Sequence, residues 1–487
     1  MMAKVVVLGA GISGHTAALH LRRMLNKKHQ VIVVSPNANW NWIPSNIWVG
    51  VGRMAKKDVV FPLAPIYKRK KIDFRQARGT VIHPEGKESD PTPFVEIEYT
   101  DPARAGEIEE VHYDYLINAT GPKLKFEATP GLGPDNGNTV SVCTADHATE
   151  AAEKFSAAVE KLKRGEKQTF VVGMGAGTCT CEGAAFEYTF NLDHELKRAG
   201  VRENAELIYL TNEAEVGDFG VDGMTFKSRG YEQSSKMWAE SIFTERDVHA
   251  ITGAACKNIT SDTIQYETID GEEHEVSYDF AMLLPPFSGQ GLSAVDREGN
   301  PITEIFNPAN FMKVDGNYTP KPYEEWAASD WPETYEVPQY PNVFAIGIAF
   351  APPHAISKPY TSPNGTLIAP APPRTGMPSG VTGKTVAETI ATRIKNPGST
   401  AAYEASLARL GAACVASAGT GLVAGSAATM TMFPVVPNYQ KYPDTGGRNI
   451  RLTSGQIGLA GHWVKLLLHY MFIYKAKALP GWSLIPE

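Results

Sequence analysis

Cysteine is scarce, with five residues in a chain of 487. So few thiols exclude a disulfide-built scaffold, which crowds several bridges into a short chain. They form no paired Cys-x-x-Cys motif of the kind that holds zinc, and no metal is expected. Long apolar runs are missing too. No window supplies the roughly 18 uninterrupted apolar residues that a membrane-spanning helix needs. The apolar run from Val5 to Ala10 reads as the first strand itself, with no separate apolar region and cleavage site before it. Synthesis in the cytosol without cleavage is therefore the expectation. Basic charge is in deficit: the formal net charge is -7, which argues against a nucleic-acid partner. No repeat period or low-complexity tract appears. What remains is 43% hydrophobic and 20% charged, the composition of a globular protein large enough for two or three domains.

The stretch from Val171 to Glu187 is organised around sulfur. An apolar strand enters the turn Gly173-Met174-Gly175-Ala176-Gly177, and a helix leaves it carrying Cys179, Cys181 and Glu187. In a dinucleotide fingerprint such glycines let the backbone approach a pyrophosphate lying on the helix N-terminus. Here thiols occupy the expected first turn, where the helix end lowers thiol pKa and favours the thiolate. On residue chemistry alone, Cys179 and Cys181 both fit that role.

A second such unit opens the chain. Lys4 to Leu8 reads as a buried strand, followed by Gly9, Gly11 and Gly14 and a helix to about Leu25. This is G-x-G-x-x-G in its required strand–turn–helix context. The acidic residue expected to hold a ribose is absent, and Ser35 stands there, with a hydroxyl that can still hydrogen-bond it. The strand Tyr115 to Asn118 ends in Ala119-Thr120-Gly121, a tripeptide that favours FAD over NAD as the nucleotide. The expected fold is α/β, with two Rossmann-like domains of the FAD/NAD(P)-linked disulfide reductase type and a C-terminal amphipathic helical membrane-attachment segment. Residues 1–150 and 330–400 are assigned to a discontinuous FAD domain, 151–329 to the second domain and 401–487 to the C-terminal segment. Residues 351–379 read as an irregular proline-rich loop, and Val381 to Ile394 as a helix. Ile457, Ala460, Val464, Leu467 and Met471 fall at helical spacing among aromatics, interrupted by His462, Lys465 and His469. That pattern suits a helix on a membrane surface or one capping the core.

Together these stretches resemble the sulfide:quinone oxidoreductases, a branch of the two-dinucleotide-domain flavoproteins that includes the flavin subunit of flavocytochrome c sulfide dehydrogenase. The likeness is carried by Ile43-Pro44-Ser45-Asn46-Ile47-Trp48-Val49-Gly50-Val51-Gly52, Ala119-Thr120-Gly121-Pro122, Ser141-Val142-Cys143 with His147, Cys181-x-Gly-x-Ala-Phe186-Glu187, Arg374-Thr375-Gly376-Met377, and Cys414 before Gly419-x-Gly421. The resemblance implies that Cys181 and Cys414 meet at the flavin as a redox pair. Sulfide attacks their oxidised form, FAD is reduced, and a membrane quinone takes the electrons as co-substrate. Sulfur leaves as polysulfide or elemental sulfur. Cys143 would link FAD covalently or assist sulfur handling, and Glu187 and His147 become candidates for proton transfer. Pro44, Ser45, Asn46, Gly347, Arg374, Thr375 and Gly376 join Gly9, Gly11, Gly14, Ser35, Ala119, Thr120 and Gly121 as cofactor-binding candidates. The resemblance also implies peripheral attachment to the cell membrane through the C-terminal helices, and a homo-oligomer. Two departures stand out: Asp218 where relatives carry histidine, and Arg374 where lysine is commoner. A flavocytochrome-type sulfide dehydrogenase subunit, a type II NADH:quinone dehydrogenase and a non-enzymatic sulfide sensor are the alternatives.

Overall fold

Val5, Val6, Val7 and Leu8 show no polar alternation, the pattern of a strand covered on both faces, and all four are fully buried. The computed structural model describes residues 2–228, 230–374, 376–420 and 423–487. In it these residues form β1 (Lys4–Leu8), which turns through the glycines into α1 (Ile12–Met24) and β2 (Gln30–Val34). The short helix α2 (Asn46–Gly50), β3 (Asp73–Arg75), β4 (Tyr115–Asn118) and the long helix α3 (Ala145–Lys163) follow. The second unit comprises β5 (Gln168–Met174), α4 (Glu182–Arg198), β6 (Ala205–Leu210), β7 (Val248–Ile251) and β8 (Phe280–Leu284). The chain then returns through β9 (Glu336–Val337), β10 (Tyr340–Ala345) and α5 (Gly376–Lys395). It ends with β11 (Ala412–Thr420), β12 (Ala424–Met432), β13 (Ser454–Gly458) and α6 (Leu459–Ala476).

Two parallel sheets result. The first has the order β9-β10-β4-β1-β2-β3, with only β9 antiparallel. The second has the order β7-β6-β5-β8 and is parallel throughout. In each sheet the strand feeding the glycine turn lies centrally, so both turns open at carboxyl ends of strands, where such folds bind ligands. One continuous apolar core runs through both units and the C-terminal hairpin.

Two local expectations change, and one stretch that carried no assignment gains one. Helix α5 begins at Gly376 rather than Val381, because Pro378 falls in the first turn, where a missing N–H costs nothing. The stretch around Cys414 is one arm of the β11–β12 hairpin, in register Cys414 to Met430. Ile457 lies in β13, not on the terminal helix.

Candidate active site

The first glycine turn is shaped for close approach. Gly9 has φ +100°, and a β-carbon there would lie 2.1 Å from the Ala119 carbonyl oxygen. A β-carbon on Gly14 would lie 2.2 Å from the Gly9 carbonyl oxygen. At Gly11 the space is open. Gly11 caps α1 without a side-chain hydrogen bond, and no acidic residue occupies the first turn. The helix therefore presents unpaired amides and a positive dipole end toward that opening, the features that hold a pyrophosphate. Ser35 is buried at the end of β2, with its hydroxyl 3.3 Å from the Asn37 carbonyl. Ala119-Thr120-Gly121 leaves β4 through a turn closed by Asn118, whose side-chain oxygen accepts from the Thr120 amide (3.2 Å) and hydroxyl (2.8 Å). Gly347, at φ +64°, abuts Ser13 at the start of α1. Pro44, Ser45 and Asn46 form the entry to α2: Ser45 Oγ lies 2.8 Å from His469 Nδ1 on α6, and Asn46 donates to the Val142 carbonyl at 3.1 Å. Arg374 is buried, stacked over Phe311 and Phe350, and donates to the carbonyls of Ile348 and Phe350. Gly376 begins α5 beside Ile12, and Thr375 lies outside the described residues.

All five cysteines are free thiols in this structure, in two distinct settings. Cys179 is fully buried and donates to the Leu284 carbonyl at 3.1 Å, while Cys256 is buried against the Met174 carbonyl at 3.3 Å. Both behave as small core hydrophobes. Cys181, Cys143 and Cys414 are only partly buried. Cys181 is the N-cap of α4, just ahead of the helix rather than in its first turn, and adopts φ 76°. That left-handed geometry costs a residue with a β-carbon about 1–3 kcal/mol and marks a held conformation. Cys414 reaches the same place from β11: its Sγ lies 2.7 Å from where a β-carbon on Gly183 would stand. The two thiols thus come to the same helix start from positions 233 residues apart in the chain (414 minus 181). Cys143 is close enough for its charge to oppose that of Cys181.

The lowered thiol pKa expected at the helix end is overturned. Burial pushes the Cys181 thiol up, with Glu182 and Cys143 adding to it, while Thr180 and Arg374 pull it down. Burial likewise raises Cys143 and Cys414 to about 11. Desolvation of a thiolate outweighs a helix dipole at an enclosed sulfur.

Glu187 anchors a polar network beside Cys414. It is buried, its Oε1 accepts from the Ser417 amide at 3.2 Å, and its Oε2 pairs with Lys465 of α6 at 3.0 Å. Burial raises its pKa, against the pull of Lys465. The Ser417 carbonyl accepts from Trp48 Nε1 and Asn191, and its hydroxyl lies 2.6 Å from His462 Nδ1. His147 stands apart from this network. Its amide donates to Thr144 in the N-cap of α3, its ring meets Phe126 edge-on, and its Nδ1 is buried without a partner. The sequence reading did not select Lys465, Ser417 and His462 for the site. The polar residues that break the apolar pattern of α6 were the visible signal for two of them.

Comparison with known proteins places this geometry. The family described as pyridine nucleotide-disulphide oxidoreductase matches residues 3–284. The chain belongs to that family. It is 28% identical over 477 residues to the sulfide-quinone reductase of Aquifex aeolicus (strain VF5), covering 98% of this chain and 92% of the relative. It is 23% identical over 353 residues to the mitochondrial sulfide:quinone oxidoreductase of Dictyostelium discoideum, covering 71% of this chain and 64% of that protein. The solved sulfide:quinone oxidoreductase structure from Aquifex aeolicus superposes with a TM-score of 0.74 at 27% identity, over 98% and 92% of the two chains. NDH2 from Plasmodium falciparum, at 12% identity and a TM-score of 0.61, shares the fold.

In this pyridine nucleotide-disulphide oxidoreductase the two glycine turns have diverged. The second is filled by its own chain. Side-chain atoms of Leu132 lie 2.4 Å from where a Gly175 β-carbon would stand, and the Leu367 carbonyl lies 2.3 Å from that of Gly177. Residues of the 367–371 segment hydrogen-bond across the turn, Ala369 to the Gly177 carbonyl and Ala371 to that of Cys179, both at 2.8 Å. Asn212 closes the other side by donating to the same two carbonyls. A pyrophosphate has no backbone left to approach there.

Proposed function

We propose that this protein is an FAD-dependent sulfide:quinone oxidoreductase working at a membrane surface. The observation that carries the reading is the approach of Cys414 Sγ to the helix start that Cys181 caps, because thiol–disulfide chemistry requires two sulfurs within reach. The relationship to sulfide:quinone oxidoreductases over nearly the whole chain supports it. Among the described residues one dinucleotide cradle stands open, and it fits FAD through the α1 amides, Ser35 and the Ala119–Gly121 turn. When bound, FAD accepts two electrons from the sulfur side and delivers them to a quinone.

The chain's own residues then have definite tasks. Hydrosulfide attacks one sulfur of the oxidised Cys181/Cys414 pair, forming a new S–S bond and releasing the other cysteine as a thiolate. Arg374 favours the charged form of Cys181. Glu187, its carboxyl raised by burial against the pull of Lys465, is the group beside Cys414 that exchanges a proton with it. Cys143, near enough for its charge to oppose that of Cys181, accepts or passes sulfur in this reading.

Helix α6 supports peripheral attachment. No helix among the described residues is long and apolar enough to cross a membrane. Yet α6 is inverted: His462, His469 and Lys475 are buried, while Trp463, Val464, Leu467 (57% exposed) and Tyr470 (65% exposed) face outward. An exposed apolar and aromatic face of this kind suits the boundary between headgroups and acyl chains.

The test is an anaerobic flavin spectrum of the loaded protein, with sulfide and NADH added separately, followed by a soluble quinone analogue. Bleaching by sulfide and recovery with quinone are expected. Bleaching by NADH alone would sink the reading in favour of an NADH dehydrogenase.

A further inference from the structure

The Cys181 sulfur needs a proton source of its own, since Glu187 lies beside Cys414. The residue after Cys181 is a glutamate whose surroundings no step yet uses. Glu182 is fully buried, and no hydrogen bond of ordinary geometry reaches either of its carboxyl oxygens. Such a group is retained in a protein interior only at considerable cost. Its carboxyl lies against the loop after β6. Oε2 lies 3.1 Å from where a β-carbon on Gly220 would stand, and Gly220 has φ +68°, so the site admits no other side chain there.

Two more carboxyls continue inside to outside. Glu213 is fully buried and accepts from the Phe219 amide (2.5 Å), Thr211 Oγ1 (2.8 Å) and Tyr209 Oη (3.3 Å). Tyr209 Oη also lies 3.3 Å from the Glu182 carbonyl, so it bridges the two residues. Asp218, half-buried, accepts from the Gly220 amide (2.9 Å) and from Ser357. Asp222, Tyr323 and Tyr439 crowd its outer side, and Arg448, buried and bonded to the carbonyls of Val221 and Gly223, is the cation facing Asp218 and Asp222.

We propose that Glu182 and Glu213 form a buried acid pair that stores the proton of Cys181, reloaded from solvent through Asp218. Its role rests on the sulfide-oxidation reading; its existence does not. When the bond from Cys181 to its partner sulfur breaks, the electron pair stays on Cys181 Sγ, and the pair's carboxylic O–H bond breaks to protonate that sulfur. The vacancy on the pair is refilled by a proton arriving through Asp218, and the reverse transfer regenerates the thiolate. No electrons change hands in these transfers. Burial supports the arrangement. It raises Glu182 well above the carboxylate range, Glu213 follows to about 8, and Asp218 stands at about 6. Glu213 thus keeps its proton at neutral pH while Asp218 is mainly ionised, and like charges so close to Glu182 cannot all persist.

The test uses the full-length, flavin-loaded protein and the near-isosteric variants Glu182→Gln and Glu213→Gln. Infrared spectra at pH 7, with and without hydrogen–deuterium exchange, report protonated carboxyls. A protonated-carboxyl band present in the wild type and lost or shifted in each variant is expected. The rate of flavin reduction by sulfide should fall about 10²-fold or more in Glu182→Gln, and the wild-type decline in that rate near pH 8 should vanish. The proposal is overturned if neither variant alters a carboxyl band, or if Glu182→Gln keeps the wild-type rate and pH profile. A wild type that sulfide does not reduce would sink the functional reading instead, and the infrared result alone would then decide the acid pair.

Discussion

Replacing Gly183 by alanine probes the cysteine pair with one methyl group. The new β-carbon would lie 2.7 Å from Cys414 Sγ. Ordinary contact begins at 3.4 Å, so the sulfur must retreat by about 0.7 Å (3.4 minus 2.7). Beyond its chain neighbours and its own helix backbone, no other atom lies within 4 Å of that β-carbon, so the strain falls on the thiol. Overpacking usually costs about 1–3 kcal/mol, but here the yielding atom ends a short, rotatable side chain. Alanine also regains up to about 1 kcal/mol of helix propensity over glycine. Stability should therefore change by about 1 kcal/mol or less. Reactivity should not be spared, because a 1 Å misplacement of reacting groups costs about 10²-fold. Single-turnover flavin reduction by sulfide is expected to slow about 10- to 100-fold, with thermal midpoint and flavin content close to wild type. A Gly183→Ala protein reducing its flavin at the wild-type rate would refute the placement of Cys414. A protein that simply loses its fold would refute the argument that the sulfur gives way.

Glu213 makes stability pH-dependent in a definite direction. Its pKa rises from 4.5 to about 8 on folding, chiefly by burial and then by Asp218, so the folded state binds the extra proton and stability falls as pH rises through that window. The slope is at most about 1.4 kcal/mol per pH unit for one proton. Thermal midpoints measured from pH 5 to 8 should decline, and Glu213→Gln should flatten the decline. Charging the exposed face of α6 with Leu467→Glu and Tyr470→Glu should leave stability within about 0.5 kcal/mol for each change. It should also reduce sedimentation with anionic lipid vesicles about tenfold or more, since each buried large apolar side chain contributes about 1.5–3 kcal/mol. Unchanged vesicle binding would place the membrane contact elsewhere.

The parts of the fold legible in the sequence were those written in local pattern. Val5 to Leu8 ahead of Gly9, Gly11 and Gly14 required a buried strand, a tight turn and a helix, and β1 and α1 follow with their glycines pressed against backbone. The β11–β12 hairpin was not legible, because Ala412 to Gly419 carries alanine, serine and glycine where a strand would advertise valine or isoleucine. At the site, residue chemistry nominated both Cys179 and Cys181, and the family resemblance paired Cys181 with Cys414, but neither could show that the Leu284 carbonyl encloses Cys179 or that Cys414 arrives over Gly183. Thiol acidity was misjudged for the same reason: a helix end can be read from spacing, whereas desolvation depends on what packs against it from elsewhere. Glu182 passed unnoticed because an acidic first-turn residue is an ordinary helix-start signal. Only its burial, with no hydrogen bond of ordinary geometry to either carboxyl oxygen, sets it apart.

The redox pair is tested most directly by mapping sulfur linkages in protein isolated without reductant and digested under acid. The account predicts peptides joining Cys181 to Cys414, either directly or through added sulfur atoms whose number rises after sulfide is supplied. Cys179 and Cys256 should be recovered as unmodified thiols. Linkage through Cys179, or sulfide turnover in a protein whose Cys414 stays a free thiol throughout, would contradict it.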